Sequence, residues 1–185
     1  LNDHIYEEFK FRVSGFDDIV RLIDGHEIMD AINDAYHNQG QEESVIILRS
    51  NKRANIYNQQ IRSRILFQEE ELSAGDHLMV VKNNYFWLDN KSEAGFIANG
   101  DIIKILEIYA IKELYGFKFA EVKVIMVDYP NQKPFETVLL LDTLTSESPS
   151  LTYEESNSLY QEVQKDYASE RSNYKRFLGV KKLTP

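Results

Sequence analysis

The spacing of apolar residues changes several times along the chain, and each change marks a different kind of element. Residues 1 to 16 are irregular and aromatic-rich (Tyr6, Phe9, Phe11, Phe16), which predicts an extended arm against a neighbouring surface. Ile19 to Ile23 read as a short strand that ends in the turn Asp24-Gly25. From about Glu27 to His37, Ile28, Ile32 and Ala35-Tyr36 recur at helical intervals, and Gly40 supplies the stop. Four consecutive apolar residues, Val45 to Leu48, then predict a strand buried on both faces, of the kind found in a parallel sheet covered by helices. After Ser50-Asn51 the spacing is helical again (Ile56, Ile61, Ile65). The unit is strand, turn, helix, half of a βαβ crossover.

From Leu72 the period shortens. Gly75-Asp76, Asn99-Gly100 and Tyr129-Pro130-Asn131 are turn signals, and between them His77 to Lys82, Ile102 to Ile108, about Phe117 to Asp128, and Phe135 to Leu141 read as strands. Short strands with few helical signals predict a small antiparallel barrel. Pro149 breaks that pattern. Thr152 and Glu155 then form a capping box, with Leu151 as its staple, and a helix is predicted to about Phe177. Leu159, Val163, Tyr167, Tyr174 and Leu178 make its buried stripe, and Gly179 is expected to end it. The expected fold class is α/β: a partial parallel sheet with helices over residues 1–70, an inserted small antiparallel β-barrel over 71–145, and a C-terminal helix over 146–185.

Composition narrows the possibilities. The absence of cysteine removes disulfides, thiolate metal sites and cysteine nucleophiles. His4, His26, His37 and His77 have no ligand spacing, so no metal site is expected. No stretch reaches the roughly 20 apolar residues of a membrane span, and no signal-like start is present, so a cytoplasmic protein with no membrane partner is expected. A net charge of −9 argues against a free-standing nucleic-acid binder of high affinity, but leaves room for a local basic groove. The chain begins at Leu1 and stops just after a helix, which reads as a piece cut from a longer protein.

One basic island stands in this acidic chain: Arg49, Lys52, Arg53, Arg62 and Arg64, with no acid between Ser44 and Gln68. A turn leading into a helix N-terminus presents backbone N–H groups and a positive dipole end, both suited to a phosphate. Ser50 and Asn51 can donate to phosphate oxygens, and Arg49, Lys52 and Arg53 add charge. The plainer reading is a solvated helix face balancing acids elsewhere. In the predicted barrel, Asn83, Asn84 and Tyr85 could stack a base and read its edge, or else form a loop that closes the barrel. Asn99-Gly100-Asp101 reads as a turn. The carboxylate runs Glu69 to Glu71 and Glu154-Glu155 read as solvated faces, because an exposed carboxylate has no reason to hold a shifted pKa.

The run Ile47-Leu48-Arg49-Ser50-Asn51-Lys52-Arg53 resembles a segment of the second RecA-like motor domain of superfamily 1 DNA helicases, the UvrD-like and RecD-like enzymes. LSAGDHLMVVKNNYFW and FIANGDIIKILEI resemble strands of the Src-homology-3-like barrel inserted in RecD-like motor domains, so the likeness covers about residues 45 to 108. The resemblance implies that 1–70 is the first part of the second RecA-like motor domain and 146–185 the return to it. It implies an ATP-dependent DNA helicase, acting in DNA repair or recombination, with single-stranded or unwinding DNA and the rest of the motor as partners. It places Arg49, Ser50, Asn51 and Lys52 at the grip on the strand, with Arg53 beside them and Tyr85 near the path. ATP and Mg would belong to the parent protein and none to this fragment, since the chain has no Gly-x-x-x-x-Gly-Lys-Ser/Thr loop and should not hydrolyse ATP alone. The loop from Tyr85 to Ala98 is longer than in the common RecD-like form. Two other readings stand beside this one: a non-enzymatic adaptor whose Tyr85, Phe86 and Trp87 form a peptide groove, and a subunit of an exodeoxyribonuclease complex.

Overall fold

The computed structural model describes residue 13 and residues 15–89, 91–146, 148 and 150–184. The aromatic arm through Tyr6, Phe9 and Phe11, and the break at Pro149, lie outside the described residues. The chain forms two compact units, Leu1–Arg49 and Ser50–Pro185.

In the first unit, helix α1 (Gly25–Asn38) starts where Asp24 accepts a hydrogen bond from the His26 amide and ends before Gly40, whose φ is +97°. α1 buries no residue. The runs 19–23 and 45–48 form no strand, and Val20, Ile23, Val45 and Ile47 are all exposed, Ile47 by 91%. This corrects the expected partial RecA-like parallel sheet, because every strand pair among the described residues is antiparallel. Apolar composition nominates a strand, but a hydrogen-bonded neighbour makes it one. Neither run has such a neighbour among the described residues.

The second unit opens with α2 (Asn51–Arg64), whose Ile61 is buried. Its last turn is tied to the barrel by Arg62, which donates from Nε and a terminal nitrogen to the two carboxylate oxygens of Asp76 at 2.9 and 2.8 Å. Four strands follow: β1 (His77–Met79), β2 (Ile102–Leu114), β3 (Phe117–Met126) and β4 (Phe135–Leu140). They pair in the order β1-β2-β3-β4, all antiparallel, as a curled half-barrel. The predicted barrel strands fall in these places, although β2 runs on to Leu114 and turns through Tyr115 and Gly116, both at positive φ (57° and 78°). Two residues of that conformation match the twist of a tight hairpin.

Alternation along β3 sets the two cores. Ala120, Val122, Val124 and Met126 face the barrel interior with Ile103, Ile105, Leu72 and Leu141. On the opposite face Phe119 lies across from Leu140, and Glu121 across from Val138. Helices α3 (Tyr153–Asp166) and α4 (Asn173–Leu183) cover that face with Leu159, Val163 and Val180. The capping box at Thr152 and Glu155 is present as predicted. The single C-terminal helix is not. Residues 167–172 interrupt it, and Ser172 caps α4 anew by accepting from the Lys175 amide. Gly179 lies inside α4 rather than at its end. A Cβ there would fall on the Tyr167 ring, so this glycine lets the second helix close onto the break.

Candidate functional site

At the start of α2, Ser50 is extended (φ −155°, ψ 148°) and its hydroxyl oxygen accepts from the Arg53 amide at 3.3 Å. The same oxygen that could face a ligand therefore also holds the cap. Asn51, Lys52 and Arg53 are exposed in the first turn, which carries no acid, and exposed Arg49 directly precedes the cap in sequence. Helix dipole and side chains have the same sign here. Arg62, at the other end of the island, is committed to Asp76. Asn55, one turn into α2, donates to the Ser146 carbonyl at 2.9 Å and so fixes the helix against the chain after β4.

Asn83, Asn84 and Tyr85 lie on a separate element, the loop after β1. Asn84 forms a two-way backbone bridge with Ile97, and its side-chain oxygen accepts from the Phe86 and Trp87 amides at 2.8 and 3.3 Å. Asn83 accepts from the Asn99 amide at 2.8 Å and donates to the Tyr85 hydroxyl at 3.3 Å. Both amides thus organise the loop. The Tyr85 ring stacks on Phe96, with centroids 4.8 Å apart and planes 23° apart, while 69% of the residue stays in solvent. Phe96, the first residue of the FIANGDIIKILEI stretch, is not among the site residues expected from the sequence. Its only signal is an aromatic just before the bridge residue Ile97. Trp87 packs edge-on to Phe86 and against the barrel core.

A cleft of about 250 Å³ opens in the second unit, and sequence reasoning did not find it. Residues 78–82 line one side and residues of β4 the other, with Trp87, Leu151 and Leu183 between them. Thr137 and Leu139 come from the inner face of β4, and Val138 and Leu140 from its outer face, so the cleft follows the strand's edge.

Elsewhere, burial and a hydrogen bond donated to Asp166 push the Tyr115 phenol up to about 12. The Thr152 amide and hydroxyl hold the Glu155 carboxyl below its ordinary value. No cluster of three or more His, Cys, Asp or Glu able to hold a metal occurs among the described residues. No helix among them is long and apolar enough to cross a membrane. Compared with family models and with curated proteins, the chain matches none.

Proposed function

We propose that this chain is part of an ATP-dependent DNA helicase of the superfamily 1, RecD-like kind, and that its own contribution is grip on single-stranded DNA. The observation that carries the reading is the capped, acid-free start of α2, where Asn51, Lys52 and Arg53 stand exposed, with Arg49 next before the cap in sequence. A strand phosphate there meets amide dipoles and cationic side chains together. Tyr85, stacked on Phe96 and open on its other face, offers a base a flat surface. The sequence holds no Gly-x-x-x-x-Gly-Lys-Ser/Thr loop, so the reading assigns ATP and Mg to the parent motor rather than to this chain. In the parent motor they would be held by other segments.

The test is single-stranded DNA binding by fluorescence anisotropy at low salt. Arg49→Ala with Arg53→Ala should weaken binding at least about tenfold and lower the salt slope by about 1.4, roughly 0.7 for each single-strand phosphate that is no longer neutralised. Binding that is absent in the unaltered chain, or equal in the variant, would remove the reading.

A further inference from the structure

The half-barrel does not close. Among the described residues β1 pairs only with β2, and β4 only with β3, so at both ends of the sheet no described strand covers the edge. The cleft described above lies along these edges. It takes Leu78 to Lys82 from one side, and from the other the residues of both faces of β4. Its wall is mostly apolar, with aliphatic side chains outnumbering Trp87, Phe119 and Phe135, which suits an apolar side chain more than a nucleobase that must stack flat and hydrogen-bond at its rim. The charge around it is one-sided. Lys82, Lys181 and Lys182 are among the lining residues and no aspartate or glutamate is, in a chain with thirty acidic residues against twenty-one basic. All three lysines are exposed, and none takes part in an ion pair among the described residues.

We propose that this cleft binds an extended, acidic segment of a partner protein, which lies along β4 as an added strand. Its backbone would pair with the free edge, alternate apolar side chains would enter the cleft, and carboxylates would meet the three lysines. Strand addition demands a peptide backbone, and the lysines demand an anion. A nucleic acid meets only the second requirement, and a neutral apolar peptide only the first. The proposal is independent of the DNA grip at α2, which uses other residues on another element.

The probe is a fluorescein-labelled peptide of six residues, the length of β4, alternating leucine with aspartate. Two controls go with it, one carrying lysine for aspartate and one N-methylated at alternate amides. Saturable binding to the full chain is expected, with slowed hydrogen exchange at amides within residues 135–140. Lys181→Glu with Lys182→Glu, both at exposed positions, should weaken it about tenfold at low salt. Met79→Asp, an exposed position on the cleft wall, should weaken it as well. Circular dichroism of each variant confirms the fold. Absence of binding, unchanged exchange in 135–140, or equal affinity for either control would overturn the proposal. So would displacement of the peptide by single-stranded DNA that the Arg49→Ala, Arg53→Ala variant still binds through the cleft, since that would make it a nucleic-acid site.

Discussion

Asp76 shows how one residue can decide whether a basic island is functional or structural. It is 94% buried by neighbours that include the two Arg62 donors and the Ser73 amide, which donates to it at 2.7 Å. A carboxylate so enclosed is stable only while its partners stay, because removing one leaves the other's charge without compensation. Arg62→Ala, which leaves the buried Asp76 carboxylate without its cation, should therefore cost about 3–5 kcal/mol in urea unfolding. Lys112→Ala, which breaks the exposed pair with Glu121, should cost under about 1 kcal/mol. Equal losses for the two would mean that Arg62 does not anchor α2 to the barrel. Spacing alone put Arg62 with Arg49, Lys52 and Arg53, because the partner that withdraws it lies fourteen residues away and is chosen by the fold.

At the scale of elements, what was legible in the sequence was what a few neighbouring residues determine. The capping box at Thr152 and Glu155, the turn at Asn99-Gly100 and the strand β3 depend on neighbouring residues, and they are where the sequence places them. The runs 19–23 and 45–48 were misread because pairing depends on distant chain. The cleft was invisible for the same reason: no local pattern says which strands a sheet leaves unpaired. The β2–β3 hairpin joins both kinds of information. Tyr115 and Gly116 make its turn, and the Tyr115 hydroxyl donates at 2.6 Å to Asp166, the last residue of α3, so the hairpin tip is latched to the helical layer. With the phenol raised to about 12, mainly by burial and then by that bond, the latch is intact below the ordinary tyrosine value of 10.0. Between pH 10 and 12 the unfolded phenol ionises while the folded one must keep its proton, so stability falls across that window. Tyr115→Phe should flatten the alkaline fall in melting temperature, without abolishing it, because Tyr109 is also raised, by burial and by Glu107 and Glu136. A fall of the same steepness in the variant would show that the latch does not contribute.

Across the whole molecule, charge is distributed as unevenly as structure. Up to Arg49 the sequence has four basic residues against eleven acidic ones, and from Ser50 onward seventeen against nineteen. Most of the net charge of −9 therefore belongs to the first unit, at −7, and the unit that carries α2, the barrel and the cleft is close to neutral, at −2. The bulk charge that argued against nucleic-acid binding describes the wrong part of the chain. A tethered anionic unit repels a phosphate backbone through a field that salt screens within about 10 Å at 0.1 M. If α2 grips DNA, shortening the chain to residues 49–185 should strengthen single-strand binding a few-fold at low ionic strength, on the order of the steering effects such fields produce. The gain should vanish as salt rises toward about 0.3 M, where the Debye length is shorter than a helix diameter. A loss of affinity on shortening would instead place necessary contacts in residues 1–48, and the grip would have to be sought there.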